Sequence, residues 1–467
     1  MWVLSENFKM KIITRFAPSP SGLLHIGGAR TALFNFIFAK SNDGLFRLRI
    51  ENTDYNRQSE KSIESIINDL KWLGIKYDKD IVFQKSNLDK HVTIAEQMIE
   101  NNLAYKCFMT DDELNEIKIN KSKDKFRSVW REKTFRFHPK NKPYVIRFKT
   151  PLNSKIQIKD LIQGTISVRS EEIDDYVLVR SDGNPTFLLS SAIDDVNMKI
   201  SHIIRGDDHL TNSFRQFHIF KYLKQIPSFA HIPLIHNDKG KKLSKRDKVP
   251  SVGDYKKSGI FKETLINYLL RLGWSLKDKE IISIEEAIKS FKLRNVGKSP
   301  AIIDEKKINF LNSHYFKNKP EKYLFELLSK EFKKNKIILS SFQKKVLTNL
   351  FSELKKRSNS VVELYESTKF IYDFNNIVIS IDDKIELDKT KGIKNKIILI
   401  LNKISNWNEK NIEFQLKKFL DSNNLKFKSI GPSLRLSITK KINSPSIIKV
   451  MEMLGKKEVI KRLDQTW

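Results

Sequence analysis

Apolar residues recur along this chain in two ways, as strand-like alternation and at helical spacing, and the points where one gives way to the other mark its elements. Lys11-Ile12-Ile13-Thr14-Arg15 is short and β-branched, which predicts a first strand. Pro18, Pro20 and Gly22 break it. Leu33, Phe34, Ile37 and Phe38 then recur at helical spacing, so Ala29 to Lys40 is expected as a helix. Phe16 to Gly28 is therefore a loop that feeds a helix N-terminus. Unpaired N–H groups and the positive end of the helix dipole make an anion site there, most often for phosphate. His25 and the pair Gly27-Gly28 lie in that loop, so an imidazole would stand beside the approaching phosphates. The spacing is neither that of the G-x-x-x-x-G-K-[ST] loop nor that of G-x-G-x-x-G.

Downstream, Leu45 to Glu51 alternates, with Phe46, Leu48 and Ile50 on one side and Arg47, Arg49 and Glu51 on the other. That pattern predicts a half-buried strand. In a doubly wound sheet, ligands sit outside the carboxyl ends of the strands, where Arg15, Ser19 and Glu51 fall. Ser59 caps a helix carrying Ile63, Ile66, Ile67, Leu70 and Leu73, and Gly74 stands past its end. Leu88 to Leu103 is a further helix. From 104 to 181 lysine-rich polar segments alternate with short strand-like runs, Tyr144 to Lys149 and Thr165 to Val168, as in a domain inserted between two halves of a nucleotide fold. The nucleotide fold resumes after the turn Asp182-Gly183-Asn184-Pro185. Ile200 to Arg205 is expected as a strand, Gly206 to His209 as a loop and Thr211 to Leu223 as a helix. Asn237-Asp238-Lys239-Gly240 is a turn that presents a basic string, and Phe261 to Leu272 is helical. Asp194-Asp195 suits a metal pair and a structural turn equally, and His231 and His236 are given no role. Beyond Pro320 the pattern is almost purely helical.

Composition narrows the function classes. Hydrophobic residues make up 40% of the 467, enough for packed cores. No apolar run approaches the ~18 residues of a membrane span, and the first residues lack the charged-then-apolar pattern of a secretion signal. Residues 1–9 predict no element, and either fray or precede a start at Met10. The lone Cys107 excludes an intrachain disulfide and fits a reducing cytoplasm. The net charge is +31, and residues 316–467 hold 32 Lys+Arg against 17 Asp+Glu. That basic stretch, without a catalytic signature of its own, suits a long polyanion, with nucleic acid first among candidates.

Pro18 to Gly28, PSPSGLLHIGG, resembles the "HIGH" signature of class I aminoacyl-tRNA synthetases in the form used by glutamyl-tRNA synthetases. Lys242-Leu243-Ser244-Lys245-Arg246 is similar to the second signature of that class, "KMSKS". The resemblance to bacterial glutamyl-tRNA synthetases covers nearly the whole chain and thins beyond Tyr315. It implies an α/β fold: a Rossmann-type nucleotide-binding catalytic domain with an inserted connective domain, followed by an all-α anticodon-binding region. The implied boundaries are 1–103 and 182–223 for the two catalytic halves, and 104–181 for the connective domain that holds the acceptor end of tRNA. A stem-contact domain with the KLSKR loop takes 224–319, and the anticodon-binding region 320–467. Glutaminyl-tRNA synthetases, the nearest relatives, read the anticodon with β-barrels, so the helical last third argues for the glutamyl type.

The reaction so implied joins the α-carboxylate of L-glutamate to the α-phosphorus of ATP, with Mg2+, and then passes glutamate to the terminal ribose of tRNA(Glu). The carboxylate is already a nucleophile, so the site needs in-line positioning and charge neutralisation rather than a general base. By resemblance His25, the N–H groups of Gly27 and Gly28, and Lys245 meet that need, with Lys242, Ser244 and Arg246 completing the basic loop. Asp208 and Ile235 match positions lining the ATP pocket. Arg15 and Arg205 would hold the side-chain carboxylate of glutamate, a task suited to the guanidinium fork. Ala17 and Ser19 would shape the pocket together with Phe187 and Ser191, and Glu51 would take the α-amino group. Two departures stand out: Phe187 replaces a usual tyrosine, and Asp247 a usual histidine after KLSKR.

Some relatives bind zinc through a Tyr-x-Cys-x-Cys string; here it reads Tyr105-Lys106-Cys107-Phe108-Met109, so no structural zinc is expected. A helix carrying Lys355-Lys356-Arg357 corresponds to one whose arginine separates glutamate from glutamine anticodons. If a lysine faces the base, tRNA(Gln) should be charged as well; if Arg357 does, it should not. The expected protein is cytoplasmic, monomeric and without a membrane partner. Glutaminyl-tRNA synthesis is disfavoured by Arg15 and the helical tail. A tRNA-binding relic without chemistry is disfavoured by the intact HIGG and KLSKR strings.

Overall fold

A computed structural model of the chain describes residues 11–53, 59–119, 125–133, 135–241 and 250–467. The first strand, β1 (Ile13–Phe16), leads through the loop into α1 (Ile26–Lys40), which begins three residues before the expected Ala29 and takes in Gly27 and Gly28. The helix is apolar on most sides because it is central: Ile26, Ala29, Leu33, Phe34 and Ile37 are all fully buried. Parallel to β1 runs β2 (Leu45–Ile50), with Arg15 opposite Arg47. Then comes α2 (Glu60–Leu73), capped as expected by the Ser59 hydroxyl and closed by Gly74 at φ +75°. The short β3 (Val82–Phe83) pairs in parallel with β2 and leads to α3 (Leu88–Glu100).

The stretch 104–181 divides its strands between two sheets. One is antiparallel: β4 (Ala104–Cys107) and, after α4 (Asp111–Ile119), β5 (Val145–Phe148) pair with each other, and β5 also pairs with β8 (Val177–Val179). The hairpin between, β6 (Lys155–Asp160) and β7 (Gly164–Arg169), belongs elsewhere. After α5 (Phe187–Asn197), β9 (His202–Gly206) and α6 (Leu210–Tyr222) comes β10 (Ser228–Ile232), which pairs in parallel with β9 on one side and with β6 on the other. β9 in turn lies beside β1, where Ser201 N donates to Ile13 O at 2.9 Å. The parallel strands thus run β3-β2-β1-β9-β10, and the order reverses between β1 and β9. Such a switch point opens a crevice at the carboxyl ends of its strands. The loops after Phe16 and after Gly206 both lie there.

β11 (Ile235–His236), α7 (Val252–Lys257), α8 (Lys262–Arg271), α9 (Ile284–Ser290) and β12 (Ala301–Ile302) follow, with β11 and β12 paired in parallel. By compactness the chain resolves into two units, 1–257 with 262–305, and 258–261 with 306–467. The second is all helical: α10 (Glu305–Asn318), α11 (Glu321–Lys334), α12 (Ser341–Lys356), α13 (Val361–Tyr372), α14 (Ile381–Asp388), α15 (Lys394–Asn402), α16 (Glu409–Ser422), α17 (Phe427–Thr439), α18 (Ile447–Leu454) and α19 (Lys456–Thr466). Leu324, Leu328, Leu350, Ile397, Leu434 and Val450 meet in its core. Tyr323, at the edge of the α11 stripe, stays exposed. Among the described residues no helix is long and apolar enough to cross a membrane.

Candidate active site

The loop after β1 ends at His25, whose extended backbone makes it the N-cap of α1. Its ring folds back over the first turn, and Nδ1 accepts from Gly27 N at 3.1 Å and Gly28 N at 3.3 Å. The two N–H groups expected to be open to phosphate are therefore taken by the imidazole. With Nδ1 accepting twice, a neutral His25 carries its proton on Nε2, where it is a donor suited to a phosphate oxygen. Gly27 is what lets the ring lie there: a Cβ on it would stand 3.1 Å from His25 Cε1 and Nδ1. One on Gly28 would stand 3.0 Å from Leu24 Cδ1. Lys242, Ser244, Lys245, Arg246 and Asp247 lie outside the described residues. The chain beyond them returns to this loop, for Ser251 forms a β-bridge with His25, and Val252 N donates to Leu24 O at 2.9 Å.

Beside the switch point lies a lattice of buried charge. Arg15 on β1 grips Asp195 with two donors, Nε to Oδ1 at 3.0 Å and Nη2 to Oδ2 at 3.3 Å. Arg49 on β2 reaches the same Asp195 with Nη1 at 2.6 Å and Glu51 with Nη2 at 2.9 Å. The alternation of β2 had suggested a half-buried strand, but Arg49 is fully buried, since this sheet is covered on both faces. Burial works against the charge of Arg49 but is outweighed by Asp195 and Glu51, so its pKa is raised. Asp195 likewise sits below the ordinary carboxylate value although burial opposes it, because Arg15 and Arg49 face it. Burial dominates at Glu51 and pushes its pKa up.

Arg205, at the end of β9, is buried and makes no direct ion pair among the described residues. Its Nε reaches His231 Nε2 at 3.3 Å, and Nη2 reaches Ser213 Oγ at 2.7 Å and His209 O at 3.4 Å. Burial and then the proximity of Arg15 lower its pKa to about 9. Asp195, Glu51 and Asp208 act on Arg205 only at longer range, so its charge has no directly bonded carboxylate among the described residues.

The remaining expected positions vary in their surroundings. Ala17 and Ser19 follow β1 directly, Ser19 exposed. Phe187, the first residue of α5, packs its ring against His209 at 5.4 Å between centroids. The Ser191 hydroxyl is spent within the protein, donating to Phe187 O at 2.7 Å and accepting from Gln216 Nε2 at 2.6 Å. Asp208 lies in the turn after β9, its carboxylate folded over Gly206 so that a Cβ there would meet Oδ1 at 2.7 Å. Ile235 is buried on β11.

Three readings of the sequence need correction. Asp194 and Asp195 form neither a turn nor a metal pair: both lie inside α5, facing different neighbours. Asp194 accepts from Gln84 Nε2 at 3.0 Å, Asn87 Nδ2 at 2.8 Å and His91 Nε2 at 2.9 Å. His231 is not incidental, because it is buried against Arg205. His236 has a local task, with Nδ1 hydrogen-bonded to Gly240 O at 2.9 Å across the turn before the basic string. Cys107 is buried on β4 with Sγ 3.3 Å from Ser128 Oγ. Around it, Asp175 ties the antiparallel sheet together through Tyr105 Oη at 3.0 Å, Arg131 Nη1 at 2.6 Å and Thr150 N at 3.0 Å.

Known proteins share this architecture. The model of the catalytic domain of class I tRNA synthetases (E and Q) matches residues 11–310, and that of an anticodon-binding domain matches 318–467. Glutamate–tRNA ligase 2 of Ehrlichia chaffeensis is 42% identical over 463 residues, covering 97% of this chain and 98% of that protein. Glutamate–tRNA ligase 2 of Wolbachia pipientis is 42% identical over 459 residues, covering 97% and 99%. A crystal structure of a glutamate tRNA ligase from Elizabethkingia meningosepticum in complex with its amino acid is 29% identical, with a TM-score of 0.83 over 97% of this chain and 99% of that one. A His25 ring capping its own helix, an arginine-rich pocket at the switch point and similarity along almost the whole length converge: the chain belongs to the glutamate–tRNA ligase family of class I aminoacyl-tRNA synthetases.

Proposed function

We propose that the protein activates L-glutamate with ATP, taken as its magnesium complex, and transfers it to the 3′-terminal adenosine of tRNA(Glu), acting as a monomer. The observation that supports the amino-acid assignment is the buried guanidinium of Arg205, which stands beside Arg15 and is bonded directly to no carboxylate among the described residues. An amino acid with a side-chain carboxylate supplies one, whereas glutamine offers only a neutral amide. Glu51, ion-paired with Arg49 at 2.9 Å, takes the α-ammonium group. Ala17 and Ser19 line the entrance after β1. The ring of Phe187 closes the pocket by packing, without the hydroxyl a tyrosine would add, and Ser191 supports that helix end rather than the substrate.

Activation needs no base. Glutamate's α-carboxylate attacks the α-phosphorus in line and pyrophosphate leaves, while His25 Nε2–H donates to a phosphate oxygen. Lys245, with Lys242, Ser244 and Arg246, brings positive charge to the departing phosphates. Asp208 and Ile235 line the nucleotide side. The experiment is glutamate-dependent pyrophosphate exchange, with and without tRNA and with glutamine as the control substrate. Exchange with glutamine equal to that with glutamate sinks the assignment.

For the anticodon, the last turn of α12 supports Arg357 as the reading residue. Lys355 Nζ turns back to Lys319 O at 2.8 Å, and Lys356 pairs with Glu353 at 3.1 Å. Arg357 stays exposed, steadied by Asn443 Oδ1 at 3.2 Å from Nη1. A planar fork held in this way favours tRNA(Glu) over tRNA(Gln). Charging both purified tRNAs decides it, since equal charging would remove Arg357 from that role.

A further inference from the structure

Arg205 is in register with His231 on β10, and β10 has β6 as its other neighbour, with Asp160 at the junction. Three adjacent strands therefore bring Asp160, His231 and Arg205 into one line, all buried. Asp160 accepts from Ile162 N at 2.9 Å, Gln163 N at 2.8 Å, His231 N at 3.1 Å and the His231 ring Nδ1 at 2.6 Å. Burial pushes this carboxyl up, but the His231 and backbone donors outweigh it and hold it ionised. An ionised acceptor at Nδ1 fixes the imidazole proton there and leaves Nε2 as a lone pair. That lone pair faces Arg205 Nε at 3.3 Å and Ser213 Oγ at 3.0 Å. The Ser213 hydroxyl then accepts from Arg205 Nη2 at 2.7 Å. One edge of the guanidinium is thus anchored, while Nη1 makes no hydrogen bond among the described residues.

We propose that Asp160 and His231 are positioning residues for glutamate selection: a neutral His231, oriented by Asp160, holds the Nε–Nη2 edge of Arg205 so that Nη1 meets the substrate's side-chain carboxylate. This rests on the reading of Arg205 as a ligand of that carboxylate. The line begins in the hairpin of the stretch 104–181, so that stretch contributes to amino-acid recognition as well as to its own sheet. Protonating His231 would set an N–H and a positive charge against the Nε–H of Arg205. The groups facing His231 are Asp160 from β6, Arg205 from β9, Asp207 and His209 from the turn after β9, and Ser213 from α6. Burial holds its pKa below the ordinary 6.5.

The test uses the full-length protein with tRNA present and measures the KM for glutamate and for ATP in pyrophosphate exchange. His231→Phe removes both ring contacts and should raise the glutamate KM on the order of tenfold or more, leaving the ATP KM within about twofold. His231→Gln can offer an oxygen to Arg205 and an NH2 to Asp160 but cannot titrate. It should keep the wild-type glutamate KM at neutral pH and lack the rise in glutamate KM expected of the wild type as His231 takes up a proton below pH 6.5. An unchanged glutamate KM in His231→Phe overturns the proposal, as does an acid rise that persists in His231→Gln. The second holds even if the phenylalanine variant does not fold. Arg205→Leu is run beside them: if it leaves the glutamate KM unchanged, the reading of Arg205 itself fails, whatever His231 does.

Discussion

Asp195→Asn is the sharpest probe of the charge lattice, because one carboxylate there serves two buried guanidinium groups. It accepts from Arg15 at 3.0 and 3.3 Å and from Arg49 at 2.6 Å. The amide has the same size but turns an NH2 towards a guanidinium and takes away the carboxylate that both buried cations share. Removing one partner of a buried ion pair costs about 3–5 kcal/mol. At about 1.4 kcal/mol per factor of ten, that is roughly two to four decades in local opening. The pH dependence has a definite sign. The folded-state pKa of Asp195 lies below its ordinary 3.8, so its stabilisation is fully present above 3.8 and is lost as pH falls through the folded value. The deficit of the variant is therefore complete at neutral pH and narrows only in acid. Hydrogen exchange read by mass spectrometry checks it: peptides from β1, β2 and α5 should lose protection while those from α12 serve as an internal reference. A loss of protection below about fivefold, roughly 1 kcal/mol, would refute the reasoning.

Gly27→Ala pushes the His25 ring off its two backbone donors, and pyrophosphate exchange should fall on the order of 10²-fold; near-normal exchange would show that the Nδ1 contact is dispensable. Lys245→Ala removes charge needed chiefly as pyrophosphate leaves, and should cost on the order of 10²-fold in activation with little change in glutamate KM. Elemental analysis of purified protein should find no stoichiometric zinc, and one zinc per chain would overturn the reading of Cys107. Affinity for tRNA should fall steeply with salt as phosphate counterions are displaced, and a flat dependence would mean that the basic helical unit is not the tRNA surface.

How much of this was legible in the sequence depends on how far apart the interacting residues lie. HIGG and KLSKR are local strings, so the family can be read off them directly, as can the Ser59 cap and the Gly74 stop of α2. The start of α1 is hidden in the sequence because Gly27 and Gly28 are poor helix formers; only the folded chain shows the His25 ring over Gly27 and the Leu24 side chain against Gly28. Alternation normally means one wet face and so places Arg49 towards solvent, yet it is fully buried, bonded to Asp195 of α5 across the second face of the sheet. Its partner Asp195 is 146 positions away. Asp160 and His231 are 71 positions apart and meet only because a hairpin from another segment joins β10. No periodicity announces such a pair. A histidine beside a strand of β-branched and apolar neighbours, Phe229 to Ile235, was the one available hint.

The bridge between His25 and Ser251 has a consequence for rates. Lys245 precedes Ser251 by six residues. At about 3.3–3.6 Å per extended residue, its Cα can never be farther than roughly 20 Å from a point hydrogen-bonded to the loop that carries His25. The bridge is a leash. Two strings far apart in the chain are thereby confined to a small shared volume, and the encounter of the lysine with a nucleotide at His25, as proposed above, becomes an intramolecular event with an effective concentration on the order of millimolar or more. On the mechanism proposed above, the orientation of that short tether rather than the reach of the ammonium group sets how often the two meet.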